Sequence, residues 1–381
     1  MTPTTTFSMT PVNQPVNQPE WKPEWKKAVV TAGAGFLGSH LCERLLEAGV
    51  EVDCVDDLSS GSADNVGHLL DRSGFRFLEH DVSQPGCEEA LPGPYDLVLH
   101  IACPASPAAA LLRPLETLDA GSLGTRNLLS VADRDGARFL LAATSQVSGG
   151  PPDEAQRDDP WPAADPLDAR TVYDESQRFS EALASAYVSA KEADAGIVRV
   201  FPAYGPRMSP DDQLIPTFIR QALNGEPVTV PGDGGQRPSL CYVDDAVDGV
   251  LLVAASRSVR PVDIGADQEK TIEEIARLVI DLTGSKARLE FGGTLVEGPA
   301  QRRPESGFAR ELFGWSPKVP WEEGLKRTIA HFLDRPGQGG LPTGLPTGLA
   351  TSPGDEIRPG RTGGRRGVMN TDGGIRHACS W

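Results

Sequence analysis

Apolar residues in the middle of the chain occur in two alternating kinds of run. Short runs at 28–32, 51–55, 75–79, 97–102, 138–143 and 196–201, most of them apolar throughout, read as strands. Their lack of a polar face fits a sheet buried on both sides. Longer stretches at 37–48, 115–132 and 169–190 carry apolar residues at helical spacing. Strand and helix in alternation specify an α/β fold, a Rossmann-type doubly wound parallel sheet. Beyond residue 201 the alternation loosens, and 213–223, 244–255, 271–282 and 321–333 read as helices of a smaller, mixed C-terminal substrate lobe. Duplications such as PVNQPVNQ and GLPTGLPTG mark 1–26 as a disordered leader and 336–381 as a disordered Gly/Pro/Arg-rich tail.

Composition narrows the function. The 381 residues hold 36 Lys and Arg against 53 Asp and Glu, a net charge of −17, which excludes a basic nucleic-acid binder. No apolar run reaches the roughly 18 residues of a membrane span, and the N-terminal residues lack the order of a signal peptide. The expected location is cytoplasmic, with neither membrane nor nucleic acid as partner. The six cysteines are scattered without CxxC pairs, so neither a disulfide framework nor a metal site is expected. Lysine is scarce, and none lies between Lys27 and Lys191.

The first strand runs into GAGFLG, which places Gly33, Gly35 and Gly38 in a GxGxxG spacing at the head of a helix. Glycines there let the backbone approach a pyrophosphate at the helix N-terminus. Asp56 ends the next strand, where a carboxylate accepts both adenosine ribose hydroxyls and repels the 2′-phosphate of NADP. NAD is therefore the expected cofactor, with Phe36 and Leu37 inside the turn and Asp81 and Val82 flanking the adenine. On this reading 27–201 is the NAD-binding domain and 202–335 mainly the substrate lobe, interleaved with it.

The segments LHIACPASP, ATSQVSGGP, VYDESQR, AYGPRM, GDGGQRPSLCYVDDAVDG and ELFGWSPKVPWEEGL follow one another in an order that resembles the extended short-chain dehydrogenase/reductase family, the NAD-dependent epimerases and dehydratases. Within it the chain is similar to the UDP-glucuronate decarboxylase branch, over roughly residues 27–334. The resemblance implies oxidation of a nucleotide sugar at C4, loss of the C6 carboxylate and re-reduction, with UDP-glucuronate or a similar sugar as substrate. It implies Tyr173 as general base, Thr144 and Ser145 as the hydroxyl residues beside it, and Gln177 at the fifth position of the tyrosine motif. It also implies Ala102 at the cofactor, Arg207, Arg237 and Arg302 at the substrate, and a homodimer built on the two long helices.

Several positions depart from the family pattern. Gln177 stands where the family has a lysine whose charge lowers the tyrosine pKa. Gln146 replaces a glutamate tied to decarboxylation, Gly121 and Pro202 replace asparagines, and Ala32 replaces the first glycine of the broader signature. These leave two alternatives open, an epimerase or dehydratase acting on another nucleotide sugar, and a non-catalytic NAD-binding homologue. His100, in an apolar strand, reads as a satisfied core histidine.

Overall fold

Eleven strands and eleven α-helices are found among the residues described by the computed structural model, which are 21, 25–101, 107–144, 171–209, 214–266, 270–292, 304 and 306–334. The strands are β1 Lys27–Thr31, β2 Glu51–Asp56, β3 Phe75–Glu79, β4 Leu97–His100, β5 Arg138–Thr144, β6 Ala195–Val200, β7 Ala203–Tyr204, β8 Val228–Val230, β9 Cys241–Tyr242, β10 Val262–Ile264 and β11 Leu289–Phe291. The helices are α1 Phe36–Glu47, α2 Cys87–Ala90, α3 Pro107–Leu112, α4 Pro114–Asp119, α5 Thr125–Asp135, α6 Thr171–Lys191, α7 Leu214–Asn224, α8 Val243–Ala255, α9 Ile272–Thr283, α10 Ser306–Phe313 and α11 Trp321–Leu333.

Seven strands form one parallel sheet in the order β3-β2-β1-β4-β5-β6-β10. The order reverses between β1 and β4, and a ligand crevice opens beyond their carboxyl ends in sheets of this kind. Alternation along the strands divides the core. Ala28, Val30, Leu97, Leu99 and Leu140 face a cluster completed by Leu41 and Leu45 of α1 and by residues of α7, α8, α9 and α11. Val29, Val98, Phe139 and Leu141 face the opposite cluster, with Leu128 and Leu129 of α5 and Ala184 of α6. Truncating any of these leucines to alanine costs about 2–5 kcal/mol. Both faces are covered, as the apolar runs require.

Beyond β6 the chain divides its work. β10 completes the main sheet and α8 packs against it, while β8 pairs with β11 beside α7 and α9 in a mixed lobe. α9 starts on a reciprocal cap in which Thr271 Oγ1 accepts from Glu274 N at 3.0 Å and Glu274 Oε2 accepts from Thr271 N at 2.6 Å. Trp21 and Trp25 stack with ring centroids 6.3 Å apart and pack on the core.

Two expectations need correction. The helix expected over 115–132 is broken, with α4 and α5 separated by a π-helical turn, Ala120–Gly124. A Cβ on Gly121 would stand 2.1 Å from Ser176 Oγ and 2.8 Å from the Ser176 carbonyl oxygen, so the glycine permits the turn to press directly on α6. The seventh strand, β10, was not expected, because three residues are too short to show a period.

Candidate active site

The turn after β1 is built for close backbone approach. Gly33 N donates to Val55 O at 3.1 Å and Gly35 N to Ala32 O at 3.0 Å. A Cβ on Gly33 would stand 2.5 Å from Cys54 Sγ, and one on Gly38 would stand 2.1 Å from Ala32 O. Ala32 itself adopts φ +47, the left-handed region that favours glycine. α1 begins at Phe36, and the preceding Gly35 offers no side-chain cap, so the first amides of the helix are suited to an anionic group. Phe36 and Leu37 are half-buried in that first turn, the Phe36 ring edge-on to His40 at 5.9 Å.

Asp56 ends β2 with its carboxylate under the same turn. Its Oδ2 accepts from Ala34 N at 2.9 Å and its Oδ1 from Leu58 N at 2.8 Å. Burial raises its pKa, and the backbone amides oppose that shift. Two oxygens offer about four acceptor sites, so sites remain for ribose hydroxyls. Asp81 accepts from Ser83 N, Ser83 Oγ and Gln84 Nε2 at 2.9, 2.7 and 2.9 Å. Burial works against its charge, but these donors prevail and hold its pKa below the ordinary value. Val82 is buried, and its carbonyl accepts from Asn127 Nδ2 at 2.9 Å. A cradle that only glycine fits, an uncapped helix start and a buried carboxylate together fit a dinucleotide.

The second cluster lies at the end of β5. Thr144 is its last residue, Tyr173 sits in the first turn of α6, and Gln177 follows one turn later on the same buried face. Thr144 N donates to Gln177 Oε1 at 3.2 Å, which ties the helix to the strand end. An ammonium group has no acceptor, so a lysine at 177 could not make this bond.

The arginines are placed separately. Arg207, at φ +70, donates from Nη2 to Glu43 and lies 3.2 Å from His68 Nε2, against α1. Burial opposes ionisation of Glu43, but Arg207 and His68 outweigh it and hold its pKa low. Arg237 is half exposed, with Nη1 3.8 Å from Glu274 Oε2 at the start of α9. Ala102, Ser145 and Arg302 lie outside the described residues, as does Gln146. His100 is fully buried, its Nδ1 2.9 Å from Thr31 Oγ1 and its Nε2 3.1 Å from Thr125 Oγ1. Burial lowers its pKa to about 4. Sequence reasoning missed Thr125, Ser176 and Ser180, although polar residues at helical spacing on an apolar face were a signal for the two serines.

Relatives bear on both clusters. UDP-glucuronic acid decarboxylase 1 of Danio rerio is 39% identical over 307 residues, covering 80% of this chain and 72% of its own. UDP-glucuronic acid decarboxylase 1 of Arabidopsis thaliana is 37% identical over 310 residues, covering 81% and 70%. Among solved structures, UDP-glucose 4-epimerase of Thermotoga maritima with UDP-glucose matches at TM-score 0.71 and 26% identity, over 81% of this chain and 99% of that one. UDP-glucuronic acid 4-epimerase of Bacillus cereus, in complex with UDP-glucuronic acid and NAD, matches at TM-score 0.70 and 25% identity, over 81% and 99%. The family model described as NAD dependent epimerase/dehydratase matches residues 28–265, and with glycine turn, acidic strand end and sheet order in agreement, the chain belongs to that NAD-dependent family.

Proposed function

We propose that the chain is a nucleotide-sugar decarboxylase acting on UDP-glucuronate or a close analogue, to give UDP-xylose or its 4-keto intermediate. The observation that carries the reading is the bond from Thr144 N to Gln177 Oε1, which holds Tyr173, Gln177 and the end of β5 as one unit in spite of the missing lysine. The curated relatives of known name support the substrate class. Residues 27–201 serve mainly the cofactor and 202–335 mainly the substrate.

Gly33, Gly35, Phe36, Leu37, Gly38 and Asp56 would hold NAD, with Asp81, Val82 and Ala102 about its adenine and nicotinamide ends. When bound, NAD supplies the two-electron acceptor that becomes the donor of the return step. Tyr173 takes the proton of the sugar C4 hydroxyl, and Thr144 with Ser145 orients that oxygen. The resulting 4-ketone is β to the C6 carboxylate, so the C5–C6 bond breaks with its electron pair drawn toward the ketone, releasing carbon dioxide. A proton then enters at C5, and Tyr173 returns its proton to the C4 oxygen during reduction. Arg207, Arg237 and Arg302 serve the diphosphate and carboxylate charges.

A homodimer belongs to the same proposal. Leu112, Leu115, Leu123 and Phe179 are 84%, 71%, 48% and 53% exposed, and an apolar groove between α4 and α6 is lined by Leu118, Ser122, Phe179 and Ala182. Exposed apolar side chains beside an apolar groove support an interface there.

Incubation of the purified chain with UDP-glucuronate and NAD, followed by mass spectrometry, tests the reaction. A product lighter by one carbon dioxide is expected. If UDP-glucuronate stays intact at high enzyme concentration while other UDP-sugars are converted, the substrate assignment fails.

A further inference from the structure

Four buried side chains from four elements form one continuous chain of hydrogen bonds. Ile101 N donates to Thr31 Oγ1 of β1 at 3.0 Å, and Thr31 Oγ1 stands 2.9 Å from His100 Nδ1 of β4. His100 Nε2 stands 3.1 Å from Thr125 Oγ1 of α5, which donates to Ser180 Oγ of α6 at 3.2 Å. Ser180 Oγ in turn donates its one hydrogen to Gly121 O at 2.7 Å, with Ser176 O at 2.9 Å as the alternative acceptor. Ser176 Oγ donates to Thr117 O at 2.8 Å. Thr31, His100, Thr125 and Ser180 are all at most 2% exposed. One assignment satisfies the links among the four side chains, with Thr31 donating to Nδ1, a neutral imidazole donating from Nε2 to Thr125, and Thr125 donating to Ser180.

The two ends of this chain matter. Thr31 is the residue before the glycine turn that receives the dinucleotide, and Ser180 follows Gln177 by three residues on the buried face of α6 that also carries Tyr173. Breaking a link inside the core leaves a buried donor or acceptor unpaired, which resists sliding of α6 against β1 far more strongly than apolar packing alone. We propose that Thr31, His100, Thr125 and Ser180 are positioning residues that couple the dinucleotide turn to α6, so that NAD bound at the turn fixes the axial position of Tyr173 and Gln177. The apolar clusters set the distance between sheet and helix, while this chain sets the register along it. Gly121 belongs to the device, since its bare backbone lets the π-helical turn hand its carbonyl to Ser180.

The coupling rests on the NAD site and not on decarboxylation, and its test uses NAD alone. Thr125→Val keeps the side-chain volume and removes the central hydroxyl, whereas Thr125→Ser keeps the hydroxyl. Hydrogen exchange of the full chain is followed by mass spectrometry with and without saturating NAD, binding being verified by calorimetry. In the wild type and in Thr125→Ser, NAD should slow exchange in both α1 and α6, the latter by at least about fivefold, the lower end for coupled sites. In Thr125→Val the slowing at α1 should persist and that at α6 should vanish. A mere loss of stability would speed α6 with and without NAD and leave the ratio unchanged. Retention of the full α6 response in Thr125→Val overturns the proposal, as does its absence from a wild type that protects α1. An enzyme that binds NAD and shows this coupling yet leaves UDP-glucuronate intact would defeat the proposed substrate alone.

Discussion

Ala32 shows how one residue can carry a cost that its neighbours impose. It adopts φ +47 at a position where the family signature has glycine, and its carbonyl accepts from Gly35 N at 3.0 Å, so the turn cannot relax without losing the glycine cradle. A left-handed alanine costs about 1–2 kcal/mol relative to the ordinary region, part of which glycine would return through its looser unfolded chain. Ala32→Gly should therefore raise unfolding free energy by about 1 kcal/mol in urea titration, with NAD affinity unchanged; a neutral or negative change would show that the turn is not strained. At this scale the sequence was most legible where chemistry is local. Gly33, Gly35, Gly38 and Asp56 declare themselves by spacing, and the structure brings them to one turn. Gln177 was legible as a departure from the tyrosine motif, but its partner was not. The acceptor bond to Thr144 N joins residues 33 positions apart, and only the fold fixes that meeting.

Among the elements, α4 and α6 present a face that the protomer leaves unsatisfied. Leu115 of α4 and Phe179 of α6 are more than half exposed, with Leu112 at the end of α3 close to Leu115 in sequence, while α6 buries its Tyr173, Gln177 and Ser180 face. Exposed apolar area in water is costly at about 25 cal/mol per Å². The proposed homodimer would cover it with the same face of a second copy. Phe179→Glu combined with Leu115→Glu places charges at the centre of that contact, and should raise the dimer dissociation constant by at least about a hundredfold, roughly 2.7 kcal/mol. Light scattering after size exclusion would reveal a monomer with unchanged circular dichroism; a dimer of undiminished strength would move the interface elsewhere. The existence of these helices was legible from their period, since α6 and α11 begin and end close to the expected limits. The break at Ala120–Gly124 was not, because the pattern of apolar residues passes through it and only the contact of Gly121 with Ser176 dictates the turn.

For the whole molecule, acid response is a contest between buried bases and buried acids. His100 is lowered to about 4 by burial, and His40 is lowered to about 4 by burial and by the charge of Arg207. Between about pH 6.5 and 4 an unfolded histidine binds a proton that its folded counterpart refuses, so this stability is complete above 6.5 and declines as pH falls toward 4. For His100 the loss amounts to about 3 kcal/mol. Burial raises Asp56, Asp174, Asp244 and Asp245 instead, and their proton uptake favours the folded state as pH falls. The two responses oppose each other, so the part played by one histidine is read as the difference between the wild type and a variant that lacks it. His100→Gln removes one titrating base while keeping a donor and an acceptor in the core. The unfolding free energy of the wild type, measured in urea at pH 7.0, 6.0 and 5.0, should fall more steeply than that of the variant, by up to about 1.4 kcal/mol per pH unit. Equal slopes would mean that the His100 imidazole accepts its proton in the folded chain, for which the Thr31 hydroxyl must turn its hydrogen away and accept from Nδ1 instead.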